Sequence, residues 1–162
     1  MQLGQGVEWA LHCCTVLALV PPDHALPAAR LAEYHGIPPA YLAKHLQALA
    51  AAGLVESGAG RKGGYRLARP AREITVLAVV DAVEGGEPAF RCREIRRRGP
   101  ARVAAGEYRA PCGIATVMQD AEDAWRAHLD SVTIGDLVHG LAVSVSPVAV
   151  RKAAAWFQEV LR

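Results

Sequence analysis

No run of about eighteen apolar residues occurs in this 162-residue chain, which excludes a membrane-spanning helix of the usual kind. The N-terminus has neither the basic start nor the small-residue cleavage site of a signal peptide, so a cytoplasmic protein with no membrane partner is expected. In that reducing compartment the four cysteines, Cys13, Cys14, Cys92 and Cys112, read as thiols, metal ligands or a regulatory redox pair, not as structural disulfides. Net charge is also scant, formally +2, so composition alone does not argue for a nucleic-acid partner. Nor is there a nucleophile with an adjacent acid-base set beside any pocket motif, which argues against an enzyme and against a small-molecule substrate. What the chain does have is apolar surface. At 52% hydrophobic residues it can bury the core of one domain of ordinary size, with room for an appended arm.

Charge that is small in sum is concentrated in place. "GRKGGYRLARPAR" (residues 60–72) and "RCREIRRRGPAR" (residues 91–102) hold most of the cations, although either run alone could be an ordinary solvated face. Apolar spacing predicts a first helix over residues 6–19, stopped by Pro21 and Pro22, and a second over 27–35, closed by Gly36. A third starts at the prolines of "IPPAYLAKHLQALAAAGLV" and ends at Gly53, with Leu42, Leu46, Leu49 and Ala50 inward, Tyr41 and Lys44 outward and His45 at the border. "LVESGAGRKGGYRLAR" then reads as a hairpin with Arg61 and Lys62 at its tip. Two short helices, a tight turn and a basic hairpin are the parts of a winged helix-turn-helix. The outward face of its second helix can enter a major groove, while the hairpin's cations and the bare amides of Gly63 and Gly64 approach phosphates.

Thr75 caps a short apolar helix ending near Gly85, and a loop of roughly 27 residues follows, a length that is uncommon in a segment without a role. Beyond it Ile114, Val117, Met118, Ala121, Ala124, Trp125, His128 and Leu129 recur at steps of three and four. Such a stripe suits packing against a second copy, and a two-fold DNA reader needs a dimer to meet two half-sites; packing within its own domain is the plainer alternative. Thr133 with Asp136 marks another short helix, and "SPVAVRKAAAWFQEVLR" a docked terminal one. The expected fold is thus mostly α with a small β-hairpin wing. Its parts are a winged helix-turn-helix over residues 1–84, a loop over 85–112, a dimerisation helix with a following short helix over 113–141, and a C-terminal helical arm over 142–162.

From Tyr41 to Ala68 the chain carries the pattern "YL...L..L...GLV.S..G..GGY.LA", by which it resembles the IscR, NsrR and CymR family of dimeric bacterial regulators. The resemblance covers roughly residues 5–141 and leaves the arm outside. It implies sequence-specific control of transcription on double-stranded promoter DNA by a homodimer. Pro39, Tyr41, Lys44 and His45 are placed near bases or phosphates, with Arg61, Lys62 and Gly63 in the wing. Many members hold an iron-sulfur cluster through three closely spaced cysteines in the loop before the long helix. Here Cys92 and Cys112 match the first and last, but no thiol lies between them, which excludes a three-cysteine cluster.

The stretch "GVEWALHCC" bears on what replaces it. Glu8 and His12 are four residues apart on a predicted helix, close enough at about 6 Å to reach one metal centre, though spacing alone favours a plain helix-surface contact. A closer resemblance, to a redox-sensing member of the same family, implies a 2Fe-2S cluster held by Glu8 and His12 of one subunit and by Cys92 and Cys112 of the partner subunit. Soft thiolates suit iron and sulfide, and mixed carboxylate and imidazole ligation is expected to make reduction responsive to protonation. Potentiometry at several pH values that showed no slope would count against this. Arg91, Arg93 and the arginines after them add positive potential beside the loop. Cys13 and Cys14, turned about 100° and 200° from His12 around the helix, read as buried small hydrophobes. Trp9, beside Glu8, is a candidate gate or a core aromatic. Two alternatives stay open: a cluster-free winged-helix regulator with a Cys92/Cys112 thiol-disulfide switch, and a metal-dependent enzyme using Glu8 and His12.

Overall fold

Glycine and proline set the limits of the first three helices. The structure, a computed structural model, describes residues 3–60 and 63–161. Helix α1 (Gln5–Leu17) buries Val7, Ala10, Cys13, Cys14, Val16 and Leu17. It stops four residues short of Pro21, two residues earlier than apolar spacing predicts. Helix α2 (Ala28–His35) ends where Gly36 turns left-handed at φ 64°, and Ile37 returns its amide to the Ala32 carbonyl at 2.9 Å. Helix α3 (Pro39–Ala51) has proline in its first turn and drives Leu42, Leu46 and Leu49 inward. These leucines, with Leu31, Leu54, Ile74, Val79 and Ile134, form one core, to which α1 contributes Ala10 and the two adjacent cysteines.

Strands β1 (Val55–Gly58) and β2 (Gly64–Leu67) pair antiparallel, Val55 opposite Leu67 and Gly58 opposite Gly64. Leu26 adds a third rung, its amide and carbonyl bonded to Tyr65 at 2.9 and 2.8 Å. This close approach explains the glycine pair: Gly64, at φ 154°, lies where any β-carbon would strike the Leu26 backbone, and one on Gly63 would strike the Gly60 carbonyl oxygen at 2.8 Å. The amide of Gly63 is also committed, donating to Gly60 at 2.8 Å. Arg61 and Lys62, assigned to the wing above, lie outside the described residues.

Helix α4 (Val76–Glu84) starts at Thr75, whose hydroxyl accepts the Ala78 amide at 3.1 Å. Residues 86–112 form the long loop, in which two short 3-10 turns, at Ile95–Arg97 and Ala105–Glu107, are the only regular pieces. Helix α5 (Gly113–Asp130) follows and buries no residue completely. Trp125 and Leu129 at its C-terminal half pack on Val7, Val76 and Val80, and Arg126 grips Asp81 of α4 through two bonds of 3.0 and 2.6 Å. Ile114, Val117 and Met118 in its N-terminal half face outward. Helix α6 (Ile134–Ser144) opens with a reciprocal capping box between Thr133 and Asp136. Helix α7 (Pro147–Val160), capped by Ser146, lays Trp156 and Phe157 on Tyr34 of α2. None of the described helices is long and apolar enough to cross a membrane.

Candidate ligand pairs and nucleic-acid interface

Inward spacing fills one side of α1 and leaves Glu8 and His12 exposed on the other, one turn apart. They border an open groove of about 570 Å³ whose apolar walls include Leu3, Val7 and Leu11 of the N-terminal segment and Leu137 and Leu141 of α6. His35, at the end of α2, lies behind His12 with ring centroids 5.5 Å apart. Burial, and then the nearness of His12, hold its pKa below the usual imidazole value, against a hydrogen bond to the His12 backbone that acts the other way. Its Nε2 is buried and has no hydrogen-bond partner among the described residues. Spacing could not have assigned His35 to this group, because a tertiary contact between α1 and α2 brings it there.

The two loop cysteines form a second pair. Cys112 is the N-cap residue of α5. The backbone amides of Ala115 and Ile114 at the helix start, with the nearby Arg96 guanidinium and the Cys92 thiol, hold it below the usual thiol pKa. Cys92 accepts the Glu94 amide at 3.4 Å. The loop that brings these sulfurs together closes on side chains instead of a core. Glu94 takes a left-handed φ of 47°, Arg96 clasps its carboxylate at 2.5 and 2.9 Å, and the guanidinium lies 4.6 Å over the Tyr108 ring. The Tyr108 hydroxyl donates in turn to the Arg96 carbonyl. Arg96 and Tyr108 were not among the site residues read from sequence, where an arginine run gives no sign of which member folds the loop.

Among the described residues no three of His, Cys, Asp and Glu converge on one point, so Glu8 with His12 and Cys92 with Cys112 are two separate pairs in one chain. Cys13 and Cys14 join neither. Both are fully buried, and loss of solvent pushes each thiol up to about 12.

Pro39, Tyr41 and Lys44 stand exposed on α3, Tyr41 at 65%. His45 is half-buried and turns toward α1. Trp9 reaches across from the neighbourhood of Glu8, its ring edge-on to Tyr41 at 6.5 Å and to His45 at 5.9 Å. The helix bearing one candidate ligand pair thus touches α3 beside its exposed Tyr41.

The family model described as "Rrf2: Iron-dependent Transcriptional regulator" matches residues 3–140. The chain belongs to the Rrf2 family. The putative regulator YwgB of Bacillus subtilis is 32% identical over 125 residues, covering 77% of this chain and 76% of the relative. The repressor NsrR of Streptomyces coelicolor is 32% identical over 139 residues, covering 85% and 88%. Among solved structures, T. potens IscR superposes with a TM-score of 0.68 at 20% identity, covering 90% of this chain and 92% of that one. CymR of B. subtilis, described as a global cysteine regulator, gives 0.68 at 22% identity, covering 86% and 97%. These likenesses bear out the winged-helix fold, and membership of Rrf2 makes the chain a DNA-binding transcription regulator and not an enzyme. The Rrf2 match ends at residue 140, so α7 lies beyond it.

Proposed function

We propose that this Rrf2 protein is a cytoplasmic, homodimeric regulator whose hold on promoter DNA responds to redox state through a 2Fe-2S cluster shared between subunits. Glu8 and His12 of one subunit and Cys92 and Cys112 of the partner subunit would hold it. The single observation that carries this reading is the split of the candidate ligands into two outward-facing pairs, each incomplete alone. The family description names iron dependence, and the donor types fit: two thiols, one of them already favoured as thiolate by the start of α5, with a carboxylate and an imidazole one turn apart.

When bound, such a cluster supplies a centre that gains or loses one electron near neutral pH. The chain's own residues do the rest. Arg96 and Tyr108 fix the spacing of the two thiols before any metal arrives. The free face of Ile114, Val117 and Met118 joins the two copies. Pro39, Tyr41 and Lys44, with His45 at their border, meet the major groove while Arg61, Lys62 and Gly63 serve the wing. Trp9, between Glu8 and α3, is placed to gate one by the other.

One observation favours a second reading. A thiol drawn toward its thiolate at a helix start beside another thiol is poised for disulfide chemistry: a peroxide would take two electrons and two protons from the Cys92 and Cys112 thiols, leaving one S–S bond and two waters. Iron and sulfide analysis with the visible spectrum of protein purified without oxygen separates the two. The cluster reading expects a brown protein with about two irons per chain, altered by Glu8→Ala, His12→Ala and Cys92→Ala alike. A colourless, iron-free protein that retards promoter DNA until oxidised leaves the thiol switch.

A further inference from the structure

Gly6 lies inside α1, where glycine is a poor helix former and alanine would serve the backbone better. Its reason is its neighbour. A methyl group built on Gly6 would stand 2.6 Å from Nε2 and 2.8 Å from Nδ1 of His45, and nearer still to Cε1. The imidazole fills a notch that only glycine leaves open, with the Trp9 ring edge-on at 5.9 Å along the same face of α1. Gly6 itself is buried. His45 follows the exposed Tyr41 by one turn of α3, yet it is itself half-buried, its ring held in the notch against α1.

The consequence is mechanical. Helix α1 is one rigid piece of 13 residues that bears Glu8 and His12 on its open side and the His45 seat on the side against α3. A rotation of α1 about its axis, driven from Glu8 and His12, moves the seat in the same step. We propose that the Gly6 notch and the His45 ring are the joint between ligand helix and recognition helix, so that His45 is a positioning residue for DNA binding and not a reader of bases. This deepens the function proposed above and rests on its placing of Glu8 and His12 in the sensing site. A packed contact between two elements that must move together transmits position where a loose surface contact would not.

The test uses the full-length dimer, promoter DNA and four proteins: wild type, Gly6→Ala, His45→Ala and the double variant. Affinity is measured with the protein oxidised and reduced, beside iron content and visible spectrum. The joint requires Gly6→Ala to weaken binding about tenfold with the spectrum unchanged. The double variant must recover the affinity of His45→Ala, because the ring that the methyl group strikes is gone. His45→Ala must also bring the oxidised and reduced affinities together. The proposal is overturned if His45→Ala lowers both affinities equally and keeps their ratio, as loss of a DNA contact would. Additive losses in the double variant also overturn it. If the protein carries no iron, the cluster reading fails while the Gly6→Ala loss and its rescue still decide the joint. Should circular dichroism show Gly6→Ala unfolded, the ratio in His45→Ala decides, taken between thiol and disulfide forms where there is no iron.

Discussion

Four thiols of one chain divide by their surroundings into two chemical populations. Cys13 and Cys14 sit in the core, where burial pushes each up to about 12 and, for Cys14, the adjacent Cys13 adds to it. Cys112 is drawn the other way by the Ala115 and Ile114 amides and the Arg96 charge. Since the thiolate is the nucleophile, iodoacetamide at about pH 8 should label Cys112 first in reduced, iron-free protein and leave Cys13 and Cys14 unlabelled until the fold opens. Peptide mass spectrometry over time reads this, and early labelling of Cys13 would contradict it. Much of this scale was legible in the sequence. The turn of a helix is enough to separate Cys13 and Cys14 from His12, and the Glu8 and His12 pair follows from the same count. The helix start beside Cys112 was legible, since the long helix was expected from residue 113, but the part that Arg96 and Cys92 play at that thiol was not, because it depends on how the loop folds back. Nor was the bond of the Gly63 amide to the Gly60 carbonyl, which a turn of this shape makes within itself.

At the scale of elements, caps carried most of the information. Thr75, Ser146, Gly36 and the Thr133 and Asp136 box begin or end helices where short-range chemistry alone expects them. The 3-10 turns of the loop escaped, since Arg96 and Tyr108, 12 residues apart, make them by side-chain contact. The long stripe of α5 was read as one surface and is two. Trp125 and Leu129 belong to the chain's own core, and Ile114, Val117 and Met118 stay exposed for the second copy proposed above. Val117, 66% exposed, is the direct probe. Val117→Arg adds a charge that is harmless in a monomer and unpaired at a dimer centre. It should leave helix content unchanged, halve the mass seen by light scattering and abolish retardation of a two-half-site promoter. A Val117→Arg protein that stays dimeric would place the interface elsewhere.

For the whole molecule, charge is as unevenly placed as the candidate ligands. Residues 60–72 carry five basic side chains and no acid, and residues 87–112 carry seven arginines against three glutamates, so the rest of this +2 chain is net negative. DNA will be drawn to these two positive stretches and repelled by the rest, which orients the protein before any base is read. The terminal helix α7 adds an aromatic brace, Trp156 on Tyr34 at 4.7 Å, beside the His35 and His12 rings. It thereby supports α2 from outside the family's shared length. In the proposed shared site neither ligand pair completes a cluster site within its own subunit. Mixing two variants tests it most directly: one with Glu8→Ala and His12→Ala, the other with Cys92→Ala and Cys112→Ala, each expected to hold no cluster. After subunit exchange and anaerobic reconstitution, a heterodimer of these chains has one complete site across its interface and none within either chain. Return of colour with about two irons per heterodimer is the predicted result. A mixture that stays colourless while wild type turns brown under the same treatment would contradict the shared site.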